Sequence, residues 1–139
     1  MTAALTLREY LIHLVDRIRA ARDHAEDDSE YRSEFERLLP GATTEMDDLS
    51  RSDLDEETIV DFCLGLGSAR RECTRTELLD VVRRIFMLTK TEAEKLLLVE
   101  TFDFNCKHPG KNGLIFYSQN YFAGPNPSPE EIVRKALGD

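Results

Sequence analysis

Helix start signals recur along the chain and restrict its fold more than any other feature of the sequence. Thr6, Thr74 and Thr91 each stand three residues before a glutamate. In such a capping box the hydroxyl and the carboxylate satisfy free backbone N–H groups at the start of a helix. Ser128 is followed by Pro129 and two glutamates, which favours a serine N-cap with proline in the first helical position. Few stretches show the alternating pattern of a strand, so the sequence predicts an all-α protein.

Apolar residues follow these signals at helical spacing and predict where the helices run. The first helix is expected over residues 7–22. Residues 42–55 contain few apolar side chains and are interpreted as a loop. Asp55 is the expected cap of a short helix after this loop, and Gly65 and Gly67 are expected to end that helix.

Three features of the first half of the chain recur in the second half in the same order. The matching segments are YLIHLVDRI (10–18) with ELLDVVRRI (77–85), Pro40-Gly41 with Pro109-Gly110, and EETIVDFCLG (56–65) with PEEIVRKALG (129–138). Any two amphipathic helical segments look somewhat alike, but the common order favours a degenerate internal repeat. We therefore expect two domains, residues 1–66 and residues 67–139. Each holds roughly 65 residues, near the lower limit for a core that folds unaided, so two small packed bundles and one merged body both fit.

The charge of the chain is negative and unevenly placed. Its 139 residues carry a formal net charge of −9. Residues 1–66 hold 17 acids and 7 bases, a net charge of −10, whereas residues 67–139 hold 10 acids and 11 bases, a net charge of +1. Direct nucleic-acid binding requires a basic surface, so this charge argues against it. A basic protein partner suits the charge, although a solvated acidic surface is the general explanation for acidic proteins.

Composition and cysteine usage indicate a soluble cytoplasmic protein. No run approaches the ~18 consecutive apolar residues of a membrane span. The N-terminal segment MTAALTLREYLIHL has no basic region before its apolar part, which argues against a secretory signal. The three cysteines, Cys63, Cys73 and Cys106, are an odd number without metal-ligand spacing, which favours reduced thiols in the cytoplasm.

The residues that most often carry catalysis or bind metals form no recognisable site in this sequence. Cys106 and His108 are two residues apart, a spacing that rarely gives a nucleophile–base pair, and no orienting acid accompanies them. His13 and His24 are too scattered from His108 to suggest a metal site. The acids of residues 47–57 lack the spacing and the glycine of a calcium-binding EF-hand. We therefore expect neither an enzyme, nor a metal, nor a cofactor.

An ordered set of motifs in the second half resembles a known family. The motifs are Thr76-Glu77-Leu78-Leu79, an acidic helix from Glu92, His108-Pro109-Gly110, Leu114-Ile115-Phe116-Tyr117, and Ser128-Pro129 followed by Ile132-Val133. This set, over about residues 74–137, is similar to the colicin and pyocin nuclease immunity proteins, whose members carry a His-Pro turn, then Asp-Leu-Ile-Tyr-Tyr, then Ser-Pro-x-x-Ile-Val. The resemblance implies a four-helix bundle that binds and silences a bacterial nuclease toxin. The segment at about 6–66 is then expected to be a degenerate second copy, which makes the protein a tandem of related four-helix repeats.

The resemblance also implies which residues meet the toxin. The short third helix of the family carries aromatic anchors, which correspond to Phe116 and Tyr117, whereas Leu114 and Ile115 are expected to be core. The second helix of the family selects the toxin. Its expected contact positions are Glu92, Lys95, Leu96, Glu100 and Asp103.

Four positions depart from the family pattern. Gly113 stands where the family has aspartate, and Ser118 stands where a proline usually follows the aromatic pair. Phe116 lacks the hydroxyl of the family tyrosine, and Lys95 places a cation where the second helix is often apolar. These departures bear on which toxin is bound more than on the role of toxin neutraliser.

The sequence thus predicts a cytoplasmic immunity protein that binds a basic nuclease toxin domain stoichiometrically. The alternative is a helical scaffold or self-associating protein without a toxin partner. For the first repeat two hypotheses remain: a structural partner that lost its binding helix, or a unit that takes an electrostatic share of the toxin contact. The sequence leaves the oligomeric state open.

Overall fold

The computed structural model describes residues 5–87 and 91–138, and every regular element in these ranges is helical. The all-α prediction is confirmed. The chain divides into two compact units, Met1–Leu66 and Gly67–Asp139. The α-helices are α1 (Leu7–Asp23), α2 (Ser29–Leu38), α3 (Thr43–Leu49), α4 (Glu56–Ala69), α5 (Arg75–Ile85), α6 (Glu92–Asn105), α7 (Gly113–Phe116) and α8 (Pro129–Ala136), with one 3-10 turn at Ser118–Asn120. None of the helices in the described ranges has the length and apolarity needed to cross a bilayer.

The predicted caps open their helices as the sequence indicates. Thr74 accepts the N–H of Glu77 at 3.2 Å, and the Glu77 carboxylate accepts the Thr74 N–H at 3.0 Å. Ser128 forms the same reciprocal pair with the glutamate three residues on. Thr6 and Thr91 accept the third N–H of their helices at 3.1 and 3.2 Å. Each such cap stabilises its helix by about 1 kcal/mol.

The first unit is built on the apolar face of α1. Leu11, Val15 and Ile18 have no solvent exposure, and Phe35 of α2 is equally buried. Ion pairs join α1 to α4 at both ends of this face: Arg8 to Asp61 at 2.7 Å and Arg19 to Glu56 at 3.0 Å. The apolar stripe from Leu11 to Ile18 is therefore the core face of α1, and the helix ends one residue later than expected.

The interpretation of residues 42–55 as a loop is wrong, because α3 occupies Thr43–Leu49. Met46 is fully buried and anchors this helix in the core of the first unit. Arg22 of α1 donates to Asp47, and Arg19 donates to the carbonyl of Leu49 at 3.3 Å. One apolar side chain and contacts from a distant helix hold α3, so a search for apolar periodicity does not find it.

The expectation that Gly65 and Gly67 end α4 is also wrong, because the helix continues to Ala69. Among the described glycines only Gly41 and Gly138 have the positive φ of a helix-terminating residue. A helical glycine costs only about 1 kcal/mol relative to alanine. Burial of Leu66 and Ala69, which are 3% and 5% exposed, is sufficient to carry the helix past both glycines.

The second unit has a single core to which all four of its helices contribute. α5 packs against α6 and α8, and α7 packs against α8. The core residues are Leu78, Val81, Val82, Phe102, Cys106, Leu114, Ile115, Ile132, Val133 and Ala136. In each unit four helices follow one another, and the third is the shortest. This order accords with the predicted repeat, which stays a prediction.

The His-Pro-Gly turn before α7 packs tightly under one aromatic ring. The Nδ1 atom of His108 accepts the N–H of Gly110 at 2.9 Å. The ring of Tyr121 meets the His108 ring edge to face, with 5.5 Å between the ring centroids. A Cβ atom at Gly110 would lie 2.9 Å from the Cζ atom of Tyr121 and 3.0 Å from His108 Nδ1, so the turn requires glycine here.

We expect Gly110→Ala to lower the free energy of unfolding by about 1–3 kcal/mol, because the added methyl group overpacks the contact between Tyr121 and His108. Urea unfolding followed by circular dichroism measures this change. Gly124→Ala is the matched control, since a Cβ atom at Gly124 has no neighbour within 4 Å. Equal effects of the two substitutions would contradict the packing described for the turn.

Candidate partner-binding site

Helix α7 turns two apolar residues inward and two aromatic residues outward. Leu114 has no exposure and Ile115 is 8% exposed, as expected of core residues. Phe116 is 53% exposed and Tyr117 is 60% exposed. Adjacent inward and outward pairs fit on one helical turn because successive residues are about 100° apart. The two aromatic rings therefore lie on the surface beside the core of the second unit, where a partner can reach them.

The expected contact positions of the second family helix lie on one side of α6. Glu92 is exposed, while the other four are half-buried: Lys95, Leu96, Glu100 and Asp103. None of the five belongs to the core of the unit. Their spacing of three, four, eight and eleven residues from Glu92 places them along one helical face. Their role in binding stays a prediction.

Glu100 is held by a cation that the sequence analysis did not single out. Its Oε1 atom accepts from Nε of Arg70 at 2.8 Å, and the two side chains are 27% and 37% exposed. The backbone after Arg70 is fixed to the same helix, because Asn105 accepts the N–H of Cys73 at 2.7 Å and donates to the carbonyl of Arg71 at 2.8 Å. No local pattern links Arg70 to Glu100, since thirty residues separate them.

Asp103 faces the start of α7. Its Oδ2 atom accepts from Nδ2 of Asn112 at 2.8 Å, and its backbone carbonyl accepts from Nζ of Lys111 at 3.2 Å. Its Oδ1 atom is buried and accepts no hydrogen bond from the described residues. Burial of the carboxylate raises the pKa of Asp103 above its ordinary value of 3.8, although the hydrogen bond from Asn112 opposes the shift.

Tyr121 occupies the space beside Gly113, the position at which the family carries aspartate. A Cβ atom at Gly113 would lie 3.3 Å from the Cε2 atom of Tyr121. An aspartate at this position would require the tyrosine ring to shift by a few tenths of an ångström. The glycine at position 113 therefore leaves room for the ring of Tyr121, a residue that the motif comparison did not single out.

Cys106 and His108 do not face each other as a nucleophile and a base. The Sγ atom of Cys106 lies 3.5 Å from the backbone carbonyl oxygen of His108, while the Nδ1 atom of the imidazole accepts from Gly110. Burial raises the pKa of the Cys106 thiol, which keeps it protonated. Within residues 5–87 and 91–138, no group of three histidine, cysteine or acidic side chains is placed to hold a metal ion.

The second unit matches a family model along nearly all of its length. Residues 71–138 match the model described as colicin immunity protein / pyocin immunity protein. The second unit belongs to this family. No curated protein and no solved structure shows significant similarity to the chain. The matched residues include all of α5 to α8 and none of the first unit. The degenerate second copy expected at about residues 6–66 therefore stays a prediction.

Membership of the colicin and pyocin immunity family indicates a role in bacteriocin immunity. The family acts by inhibition rather than by catalysis, and its kind of partner is a toxin protein. The exposed pair Phe116 and Tyr117 and the α6 positions named above lie within the matched residues. We use the term α6–α7 face for this set of candidate contact residues, namely Phe116, Tyr117 and the five α6 positions.

The raised pKa of Asp103 predicts the sign of a pH dependence in the stability of the second unit. Because its folded-state pKa is raised, the stability gained from its protonation is present below pH 3.8 and is lost as pH rises through the folded-state pKa. Asp103→Asn removes this titration and keeps an oxygen that accepts from Asn112. We expect the variant to gain stability relative to the parent as pH rises from acid to neutral, measured by urea unfolding across that range.

Glu77→Gln is a control of opposite sign for this pH series. The backbone N–H of Thr74 lowers the pKa of Glu77 below 4.5, so its contribution is present above that pH and is lost as pH falls through the folded-state pKa. The parent should therefore exceed this variant in stability at neutral pH, and the gap should close in acid. A pH-independent difference between the parent and Asp103→Asn would show that the Asp103 carboxyl is not the desolvated group.

Proposed function

We propose that the chain is a bacteriocin immunity protein that binds a nuclease toxin stoichiometrically and inhibits it through the α6–α7 face. The observation that supports the proposal is the exposure of Phe116 and Tyr117 in a unit of the immunity family. Isolated exposed aromatic rings are costly to solvate, and burying one fully yields about 1.5–3 kcal/mol. Aromatic side chains that are held rigidly dominate protein interfaces, because they lose little conformational entropy on binding.

The rigidity of the aromatic pair comes from the residues beside it. Leu114 and Ile115 fix α7 in the core, and the N–H groups of Phe116 and Tyr117 donate to the carbonyls of Asn112 and Gly113 at 3.1 and 2.8 Å. The backbone beneath both rings is therefore ordered before a partner arrives. Such preorganisation reduces the entropy cost of association.

The cytoplasm is the compartment that we propose for this binding. The three thiols, Cys63, Cys73 and Cys106, are unpaired, and reduced cysteines persist there. A toxin made in the same compartment would meet its inhibitor before release. The neighbouring reading frame is the simplest place to look for that toxin: a large protein ending in a nuclease domain favours immunity, and its absence favours a helical scaffold.

Co-expression with the nuclease domain of that neighbouring toxin tests the proposal. We expect DNA or RNA cleavage to stop at one equivalent of the immunity protein. Phe116→Ala and Tyr117→Ala should each weaken binding at least 30-fold, about 2 kcal/mol, as measured by titration calorimetry. Phe86→Ala is the matched control, because this ring is 50% exposed in the same unit but lies outside the α6–α7 face. Continued cleavage at excess protein would refute the proposal.

We further propose that the first unit takes the electrostatic share of the toxin contact. Its net charge of −10 attracts a basic protein over a distance of roughly one Debye length, about 8 Å at physiological salt. Part of its acidic segment is used internally, since Asp28 pairs with Arg22 at 3.2 Å and Asp27 accepts from Ser29 at 3.0 Å. Glu26 and Glu30 are exposed and remain suitable for a test.

The double substitution Glu26→Lys with Glu30→Lys should slow association severalfold at low salt, because steering by charge acts on the association rate. The dissociation rate should stay the same, and the difference should vanish at high salt. Stopped-flow fluorescence with the toxin domain measures both rates, and the isosteric Glu26→Gln with Glu30→Gln should fall between. An unchanged association rate would leave the first unit with a structural role alone.

A further inference from the structure

Two of the carboxylates on the α6–α7 face already have partners within the chain. Three of its α6 positions are acidic, namely Glu92, Glu100 and Asp103. Glu100 is engaged by Arg70 at 2.8 Å, and the Asp103 carboxylate is turned toward Asn112. Within the described part of the chain, Glu92 and Lys95 have no ion-pair partner, and they offset each other in charge. With Arg70 counted, two cations stand against three carboxylates, so the formal net charge of the face is −1. Its apolar and aromatic groups are Leu96, Phe116 and Tyr117.

Arg70 enters this face from outside the matched family segment. The family match begins at residue 71, and Arg70 directly follows the end of α4 at Ala69. The following backbone is tied to α6 through Asn105, which contacts both Arg71 and Cys73. The guanidinium is thus held beside Glu100 by contacts within the chain itself.

We propose that Arg70 is a specificity-determining residue: by pairing with Glu100 it selects a toxin surface that is apolar and lacks a cation opposite Glu100. The inference rests on the proposed function and names the kind of surface that the face accepts. A lysine or arginine of the toxin placed opposite Glu100 would meet Arg70 as well, and like charges across an interface oppose binding. An aliphatic or aromatic patch meets no such penalty, because the pair already satisfies both charges.

A double-mutant cycle on the full-length chain tests the assignment. The variants are Arg70→Ala, Glu100→Ala and the double variant, and the readout is the dissociation constant for the nuclease domain of the neighbouring toxin. Arg70→Ala takes the guanidinium away from Glu100, and Glu100→Ala removes the carboxylate that Arg70 holds at the face. We expect each single variant to bind about tenfold more weakly. The double variant removes both charges and should bind within about threefold of the parent.

The control cycle uses Arg83 and Glu130, another ion pair of the second unit at 2.7 Å that lies outside the α6–α7 face. Its single and double variants should leave the dissociation constant unchanged. Thermal unfolding of every variant separates a loss of binding from a loss of folding. A structural role of Arg70 alone would change stability in the Arg70 cycle without restoring affinity in the double variant.

Two further outcomes would overturn the assignment. Strong loss of binding in both Glu100→Ala and the double variant, with Arg70→Ala equal to or tighter than the parent, would show that Glu100 contacts a cation of the toxin. Failure of the parent chain itself to bind the toxin would refute the proposed function, and this inference with it. Binding by the parent distinguishes the two cases.

Discussion

The candidate site depends on the packing of Leu114 and Ile115 into the core of the second unit. Helix α7 is a single turn, and a helix this short has almost no stability of its own. Two side chains inserted into the core of the second unit fix its position and its rotation. Once they point inward, helical geometry leaves Phe116 and Tyr117 pointing outward. Exposure of the two rings is thus a consequence of packing.

Polar contacts between the end of α6 and the start of α7 also hold α7 in place, but they bury a carboxylate oxygen. Lys111 donates to the carbonyls of Asp103 and Cys106 at the C-terminal end of α6, where carbonyls lack their usual partner four residues on. Asn112 donates to the Asp103 carboxylate, whose second oxygen stays buried and unpartnered among the described residues. The raised pKa of Asp103 reports that cost. The junction is ordered although one of its charged groups is poorly solvated.

The parts of the fold that the sequence predicts are those encoded locally. The caps at Thr74, Thr91 and Ser128 can be predicted because a capping motif needs only four consecutive residues. Helix α3 escapes prediction because Met46 and the arginines of α1 hold it, and those contacts join residues far apart in the chain. At the α6–α7 face, motif resemblance points to exposed aromatic rings and acidic positions. The resemblance does not predict the ion pair between Arg70 and Glu100, because this contact depends on the path of the backbone after α4.

The acidic surplus of the chain lies in its first unit, whereas the exposed aromatic pair lies in its second unit. All seven bases of the first unit are arginines, and even complete pairing would leave ten of its seventeen acids without a cation. A surplus of this size produces a field that extends beyond contact distance. The α6–α7 face has a surplus of only one acid, Asp103, because Arg70 and Lys95 offset Glu100 and Glu92. Under the proposed function, attraction from a distance comes from the first unit, whereas discrimination at contact comes from the aromatic rings and from the pairing of Glu100 with Arg70. The toxin that this proposal describes combines an overall basic surface with an apolar patch that has no cation opposite Glu100.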